Sequence, residues 1–195
     1  MMYIIGIIVS YLLGSIPMGL LLTKLAGKGD LRRVGSGNIG AANVMRVGGL
    51  RMAGLVWLLD MAKAVAAVLI GKVIGGDVLG ALCGFFAVLG HCFPIWLRFH
   101  GGKGVSCFFG VLIAINPIVF VLCGIEWLIV ALSFGYSSLA GLVLFCVAPI
   151  IGFAIGFWIG IIMLAISLVC LWRHTENIGR LVGGTESKLN WRWRK

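Results

Sequence analysis

The sequence predicts an all-α, polytopic integral membrane protein with about seven transmembrane helices, its N-terminus outside and its C-terminus cytoplasmic. Hydrophobic residues make up 61% of the chain and charged residues only 11%, whereas soluble domains average about 25% charged residues. The mean hydropathy is +1.12. Between Lys103 and Arg173 the only charged residue is Glu126, and one charge cannot make a water-facing helical surface. We expect one transmembrane domain over residues 1–195.

The first membrane-spanning segment is predicted at Met2–Thr23, because a spanning helix needs about 20 apolar residues. Its second half contains Gly14, Ser15 and Pro17, which predict a kink. The segment lacks a basic start and a small-residue cleavage site. We therefore expect it to be retained, not removed as a signal peptide.

Two further helices are predicted on either side of a glycine turn. A polar loop over about residues 25–49 precedes a helix at Leu50–Ile74, and Gly75–Asp77 forms the outer turn. A third helix runs from Val78 to about Phe93, where Pro94 stops it. A second polar loop follows, over about residues 95–104.

The apolar stretch from Val105 to Trp172 is predicted to cross the membrane four times. Breaks are expected at Asn116–Pro117, at Ser133–Ser138, and in the neighbourhood from Ala148–Pro149 to Gly156. Basic residues flank both ends, so both ends face the same side and the number of crossings is even. Two crossings would leave too much apolar chain, whereas four short spans of about 17 residues fit.

The net charge of +10 is concentrated in the two polar loops and in the tail, residues 173–195. By the positive-inside rule these three regions face the cytoplasm. Anionic lipid headgroups and phosphorylated metabolites explain this basic surface more simply than nucleic acid does. The six cysteines form no C-x-x-C pair, so we expect buried apolar side chains and no metal site.

The first loop contains the stretch GSGNIGAANVMR, which suggests an anion-binding site. Glycine allows backbone N–H groups to converge on an anion, and serine, asparagine and arginine side chains add hydrogen-bond donors. No strand precedes the glycines, which excludes a dinucleotide-binding fingerprint. The alternative is a flexible interfacial linker. The candidate phosphate-binding residues are Gly35, Ser36, Gly37, Asn38, Gly40, Asn43 and Arg46.

The second loop offers Lys103, which follows Gly102 within the sequence GGKG. Flanking glycines leave its ammonium able to reach a phosphate, although the spacing is not that of a Walker loop. His91 and Cys92 are adjacent, which is poor geometry for joint metal binding. Packing at a helix end is therefore the expected role of His91.

The third polar segment, RHTENIGRLVGGTESK, offers Arg173, Asn177 and Arg180. On one helix their spacing of i, i+4 and i+7 places them on a shared face, with His174 beside it. The alternative is an ordinary charged flank after a membrane-spanning helix.

The three motifs together resemble the bacterial acyl-phosphate-dependent glycerol-3-phosphate acyltransferases, the PlsY family. GSGNIGAANVMR, the segment from GHCFP to HGGKGVS, and RHTENIGRLVGGTESK resemble that family's three motifs in order. One departure is Ser106, where threonine is usual. The resemblance implies acyl transfer from acyl phosphate to the sn-1 hydroxyl of glycerol 3-phosphate, giving lysophosphatidic acid and inorganic phosphate.

The resemblance also implies a place for this activity in the cell. It implies a monomer in the bacterial cytoplasmic (inner) membrane, with the active site facing the cytoplasm. Acyl phosphate, glycerol 3-phosphate and the lipid bilayer are the expected partners, together with a functional link to the enzyme that makes acyl phosphate. No cofactor and no metal are implied, so activity should survive chelator treatment.

A second sequence observation concerns the catalytic base. Acyltransferases of another type use His-x-x-x-x-Asp, and none of His91, His100 and His174 has Asp at that spacing. Because acyl phosphate is already an activated donor, we expect direct attack by the hydroxyl, with substrate phosphate or His174 accepting the proton. Ser36, Arg46 and Lys103 complete the predicted catalytic set.

Two other functional classes fit the sequence less well. A transporter of a phosphorylated metabolite is suggested by Asp60, Lys63 and Glu126 within apolar segments. Against it, the polar motifs collect on one membrane face, not near the midplane, and no inverted repeat is evident. A non-catalytic membrane assembly subunit would leave the three motifs without a role.

Overall fold

The computed structural model describes residues 1–189, and it is helical throughout most of that range. Residues 190–195, which include the end WRWRK of the predicted cytoplasmic tail, lie outside the described part. The predicted all-α class is confirmed. The helices are α1 Met2–Gly14, α2 Met18–Leu25, α3 Ala41–Cys92, α4 Val105–Ile115, α5 Pro117–Phe134, α6 Ser137–Ile155, α7 Phe157–Arg173 and α8 Thr175–Val182, with short 3-10 turns at Leu31–Arg33 and Ile95–Leu97.

The first apolar segment is broken into α1 and α2, as its small residues and proline predicted. α1 ends at Gly14 and α2 begins after Pro17. The Ser15 hydroxyl donates to the carbonyl oxygen of Tyr11 at 2.8 Å. The kink is therefore a defined feature of the chain, since proline cannot continue the backbone ladder.

Helix α3 is a 52-residue run that contains two of the predicted spans. Gly49, Gly75 and Gly76 have non-helical angles within it, and φ is 78° at Gly49 and 80° at Gly76. Such positive values favour glycine. Val68 lies against Gly84 across the turn, so the two halves form an antiparallel hairpin. The predicted turn is confirmed, but the predicted loop 25–49 is shorter because residues 41–48 are helical.

The later helix breaks fall mostly where the sequence placed them. Asn116 separates α4 from α5, and Gly135, with φ of 80°, lies between α5 and α6. The third break is at Gly156, whereas Pro149 stays inside α6. Proline at position 149 is therefore accommodated without ending the helix.

The outer surface of several helices fits a lipid environment. On α5, Ile118, Leu122, Ile125 and Ile129 are all about half exposed or more, at spacings that follow one helical face. Within residues 1–189, four helical stretches are long and apolar enough to span a membrane, or five if the bent pair α7–α8 is one span. They are Met2–Leu25 (α1 with α2), Ala41–Leu97 (the α3 hairpin, counted once), Pro117–Phe134 and Ser137–Ile155. The protein is a multi-pass membrane protein, and seven spans and their orientation stay predictions.

The chain divides into two compact units, residues Met1–Pro117 and Ile118–Lys195, the second described as far as Leu189. In the first unit α1 and α4 pack against α3, where Gly110 faces the carbonyl of Met61 closely. In the second unit α6 packs against α7. The first two motifs belong to the first unit and the third motif to the second, and the single-domain assignment stays a prediction.

Candidate active site

The first loop is organised around Asn43, which is buried near the start of α3. Its Nδ2 donates to the carbonyl oxygens of Leu31, Val34 and Asn38 at 3.1, 2.9 and 2.9 Å. Its Oδ1 accepts the backbone N–H of Ser36 at 3.0 Å. We predicted Asn43 as a phosphate donor, but both of its amide protons already have carbonyl acceptors. Its role in this structure is to shape the loop.

The glycines of this loop allow its tight path. Gly35 and Gly37 have φ values of 60° and 70°, which other residues rarely adopt. A Cβ at Gly35 would overlap the side-chain oxygen of Asn43. These glycines therefore bring the loop against Asn43.

More backbone amides of this loop donate hydrogen bonds within the loop itself than the sequence predicted. The N–H of Gly37 donates to the Val34 carbonyl at 3.0 Å, and that of Gly40 donates to Asn38 Oδ1 at 2.9 Å. The N–H of Ser36 is held by Asn43. The expected amide cradle for an anion is therefore largely used internally, and the side chains become the better candidates.

Ser36 and Arg46 are the exposed polar side chains that this loop brings near each other. Both are exposed, and Arg46 Cδ lies 3.6 Å from the position that a Cβ on Gly35 would take. The guanidinium stem thus passes beside the residue before Ser36. A hydroxyl and a planar cation at one loop suit a phosphate or an acyl-phosphate oxygen.

The second loop folds back onto the end of α3. The N–H groups of Gly101 and Gly102 donate to the carbonyls of Cys92 and His91 at 3.1 and 2.9 Å. Lys103 follows directly and is half-buried, one residue before the N-cap of α4. The backbone contacts therefore fix the base from which Lys103 extends.

The two loops of the first unit share a hydrophobic cluster. Leu31, Ile39 and Val44 are buried in it, and Leu97 of the second loop packs against it. The polar side chains of both loops are consequently carried by one packed end of the unit. This supports the expectation that the first two motifs act together.

The third motif is bent at His174. The axes of α7 and α8 differ by 59°, so Arg173 ends α7 while Asn177 and Arg180 belong to α8. The prediction that all three share one face of one helix is wrong, because the helix changes direction between them.

His174 is buried and held in one orientation. Its Nδ1 is 2.7 Å from the carbonyl oxygen of Cys170, and its ring meets Phe145 edge-on with centroids 5.3 Å apart. The Nδ1 atom must donate to this carbonyl, so we assign the proton of the neutral ring to it. The lone pair of that tautomer is on Nε2.

Glu186 is a residue that sequence reasoning missed. Its carboxylate accepts hydrogen bonds from Asn177 Nδ2 at 2.7 Å, Arg180 Nε at 2.6 Å and Ser138 Oγ at 2.9 Å. Burial raises the pKa of Glu186, but these hydrogen bonds outweigh burial and leave it below its usual value. Asn177 and Arg180, predicted phosphate ligands, are thus held by this carboxylate. The only sequence signal was that Glu186 is an acid that follows Arg173 and Arg180 in the third motif.

A buried polar cluster lies below the second loop. Within residues 1–189, the only group with metal-ligand spacing is Asp60, His91 and Cys107, whose ligand atoms all lie within 4.8 Å. Lys63 Nζ is 2.7 Å from Asp60 Oδ1 and 3.1 Å from His91 Nδ1. An ammonium therefore already occupies the position of a cation. The sequence suggested the pairing of Asp60 with Lys63 but not the participation of His91.

Comparisons with known proteins identify the family of this chain. The family model described as glycerol-3-phosphate acyltransferase matches residues 4–184. A glycerol-3-phosphate acyltransferase of Rhizobium etli is 46% identical over 93% of this chain and 89% of its own length. One of Rhodopseudomonas palustris is 47% identical over 96% and 95%.

Solved structures give the same result in three dimensions. The glycerol 3-phosphate form of PlsY, an integral membrane glycerol 3-phosphate acyltransferase, superposes with a TM-score of 0.92 at 36% identity, covering 96% of both chains. Its lysophosphatidic acid form gives a TM-score of 0.87 at 35% identity, covering 96% of this chain and 95% of that one. Since the family model matches residues 4–184 and relatives 46% and 47% identical cover 93% and 96% of this chain, the chain belongs to the glycerol-3-phosphate acyltransferase family.

Proposed function

We propose that this enzyme transfers a fatty acyl group from acyl phosphate to the sn-1 hydroxyl of glycerol 3-phosphate. The products are lysophosphatidic acid and inorganic phosphate. The observation that carries this proposal is the close similarity to structures of PlsY described as its glycerol 3-phosphate and lysophosphatidic acid forms. The cationic loops of the first unit support it, because both substrates carry a phosphate.

The phosphate-binding groups are proposed to be polar side chains of the first two motifs, the exposed Ser36 and Arg46 and the half-buried Lys103. Arg46 offers a bidentate fork, Lys103 a point charge and Ser36 a neutral donor. Their proposed role is to neutralise the charge that develops as the mixed anhydride is cleaved. Asn43 and the loop glycines would hold Ser36 and Arg46 in place. In the third motif, Asn177 and Arg180 are proposed to contact a substrate phosphate while Glu186 orients them.

The reaction is proposed to be a direct displacement. The hydroxyl oxygen of glycerol 3-phosphate forms a bond to the acyl carbon, and the bond from that carbon to the bridging phosphate oxygen breaks. The hydroxyl proton passes to a substrate phosphate or to Nε2 of His174. A covalent intermediate on Ser36 is not needed, because the donor is activated and, within residues 1–189, no base is hydrogen-bonded to that hydroxyl.

The same proposal includes the location of the enzyme in the cell and the source of its acyl donor. The enzyme is proposed to act as a monomer in the bacterial inner membrane, with its site facing the cytoplasm, without metal or cofactor. The acyl chain would stay in the bilayer while the phosphates bind at the water interface. An enzyme that makes acyl phosphate would supply the donor.

Purified protein in detergent tests the proposal directly. With acyl phosphate and glycerol 3-phosphate it should release inorganic phosphate and form lysophosphatidic acid, also in the presence of a chelator. Acyl-CoA as the only donor should give no product. Product from acyl-CoA alone, or flux of glycerol 3-phosphate into sealed vesicles without any acyl transfer, would contradict the proposed reaction.

Single substitutions test the assigned residues. Replacing Ser36, Arg46 or Lys103 by alanine should lower turnover by roughly 10²-fold or more, the range seen when one charge-stabilising donor is removed. Lys72→Ala is the matched control, since this lysine lies at the opposite end of the α3 hairpin and pairs with Asp77 at 2.9 Å. Full activity in the Lys103→Ala variant would remove Lys103 from the catalytic set.

A further inference from the structure

The buried cluster of Asp60, Lys63 and His91 joins the two halves of the α3 hairpin. These residues are only 1%, 5% and 4% exposed. The Lys63 ammonium is 2.7 Å from Asp60 Oδ1 and 3.1 Å from His91 Nδ1, and the latter atom is 3.5 Å from the same carboxylate oxygen. Three polar groups that the proposed reaction does not use therefore form one compact network.

The hydrogen bonds of the ammonium fix the geometry of this network. Lys63 Nζ donates to the carbonyl oxygen of Ile16 at 2.7 Å and contacts Nδ1 of His91 at 3.1 Å. Its contact with Asp60 Oδ1 at 2.7 Å is an ion pair. Because an ammonium and an N–H cannot both donate across one contact, Nδ1 of His91 is the acceptor and a neutral ring carries its proton on Nε2.

Stability alone is a poor explanation for this cluster. A buried ion pair contributes little net stability compared with apolar residues of similar size, and ionisable groups within membrane-spanning segments usually have a function. A metal centre is also a poor explanation, because the ammonium is at its centre and Cys107 donates its S–H to the Asp60 carbonyl at 3.2 Å. Contact with the second loop explains the cluster better.

The ring of His91 lies directly against Gly102. A Cβ on Gly102 would overlap the ring, with Cε1 and Cδ2 only 2.7 and 2.8 Å away. The backbone of His91 also accepts the Gly102 N–H at 2.9 Å. Gly102 is thus seated on both the ring and the backbone of His91, immediately before Lys103.

On its other side, the network contacts residues that pack near the first loop. Ile16 lies in the break between α1 and α2, and Gly19 of α2 packs against the carbonyl of Ile39, within the first loop. Lys63 therefore contacts Ile16 directly, next to the helix that packs against the first loop. Through His91 it is also linked to Gly102 of the second loop. All of these contacts lie within the first unit.

We propose that Asp60, Lys63 and His91 are positioning residues for Lys103. The ion pair holds the imidazole, the imidazole seats Gly102, and Gly102 sets where the Lys103 side chain begins. The proposal rests on the proposed function only in that Lys103 is taken to bind a substrate phosphate. Misplacing a substrate-positioning group by about 1 Å can lower the rate roughly 10²-fold. A network that fixes the position of Lys103 would prevent such a loss.

Hydrogen exchange of the backbone amides tests the structural part without any assay of activity. The double variant Asp60→Asn/Lys63→Met removes both charges together, so that neither is left unpaired. Its Gly101 and Gly102 amides should exchange about tenfold faster or more, while amides of residues 80–88 stay unchanged. The control Lys72→Met/Asp77→Asn removes an ion pair at the Gly75–Gly76 turn and should leave these two amides as in the parent protein.

Unchanged exchange at Gly101 and Gly102 in the double variant would overturn the proposal. If the double variant does not fold, His91→Leu and His91→Asn take its place. Asparagine retains an acceptor near the position of Nδ1, so it should protect these amides better than leucine does. Equal exchange in the leucine variant and the parent protein would again overturn the proposal.

Kinetics test the link to Lys103. The double variant should lower turnover by about tenfold, as Lys103→Ala also lowers it, and should add little when combined with Lys103→Ala. A fall in turnover that multiplies fully with the Lys103→Ala effect would show a purely structural role and overturn the positioning proposal. If the parent protein transfers no acyl group, the proposed function is rejected. Faster amide exchange at Gly101 and Gly102 in the double variant would still support the positioning of Lys103 by the cluster.

Discussion

Asn43 has two amide protons, and three carbonyl oxygens lie within hydrogen-bonding distance of them. Asn43→Asp keeps the size of the side chain and the oxygen that accepts the Ser36 N–H, but it brings lone pairs toward those carbonyls. We expect this variant to lose activity as severely as Asn43→Ala, by roughly 10²-fold or more. Steady-state kinetics, with helicity by circular dichroism as the control, would measure it. Near-normal turnover in the aspartate variant would show that loop shape does not depend on these bonds.

Gly102 tests the contact between the second loop and the hairpin. In Gly102→Ala the new methyl group would overlap the His91 ring, so the ring or the loop must move and Lys103 with it. We expect about a tenfold or greater loss of kcat/KM. Gly124→Ala on α5 is the control, since a Cβ there has no neighbour within 4 Å. Equal activity of both variants would mean that the loop absorbs the methyl group.

At the residue scale the sequence suggested which side chains could bind phosphate but not how those side chains are oriented. Ser36, Arg46 and Lys103 could be selected because their types and their glycine-rich surroundings suit phosphate. The sequence does not show that the Asn43 side chain points into the loop, because this depends on where the carbonyls of Leu31 and Val34 lie in the folded chain. Asn177 and Arg180 were predicted on one helical face, but the sequence did not indicate their shared partner Glu186, which is several residues away along the chain.

At the scale of elements, the segment after α8 forms a clasp, residues 183–189, on the α5–α6 turn. The N–H of Leu189 donates to the Gly135 carbonyl at 2.7 Å, and Glu186 binds Ser138 of α6 and Arg180 of α8. The lowered pKa of Glu186 means that its stabilising effect is complete above the unfolded-state pKa of about 4.3. The effect is lost as the pH falls through the lower folded-state pKa.

Glu186→Gln should therefore melt at a lower temperature than the parent protein at neutral pH. The difference should narrow as the pH falls below about 4.3, which thermal melts in detergent would measure. Glu176→Gln is the matched control, because Glu176 is exposed and 3.9 Å from Arg180, and it should change the melt little. A constant difference across pH would show that the charge of Glu186 is not what stabilises the clasp.

Helix breaks were predicted where proline and glycine cause them, and missed where they do not. Pro17, the glycines at 75 and 76, Asn116–Pro117 and Gly135 all mark observed breaks. The bend at His174 has no proline or glycine signal, so three residues on two helices were predicted on one. The break expected in the neighbourhood from Ala148–Pro149 to Gly156 occurs at Gly156, and Pro149 lies inside α6.

At the scale of the whole molecule, the orientation in the membrane is the central prediction still to be tested. Single cysteines at Lys28, His100 and Glu176, all exposed, should react with an impermeant thiol reagent from the cytoplasmic side. Asp77→Cys should react only from the opposite side, because basic loops stay in the cytoplasm. The exposed Cys146 would first be replaced by serine. Labelling of Lys28→Cys and Glu176→Cys from different sides would reject the topology.

The hydrogen bond from Lys63 to the Ile16 carbonyl has a consequence for how the protein is made. A backbone carbonyl in a bilayer needs a partner from the protein, and this side-chain donor comes from 47 residues later in the chain. When the ribosome has delivered only the first span, that donor is absent. At that stage the Ile16 carbonyl accepts the Met18 N–H, 3.1 Å away, and we expect it to gain the Lys63 ammonium as a second donor only after the second span has been inserted beside it.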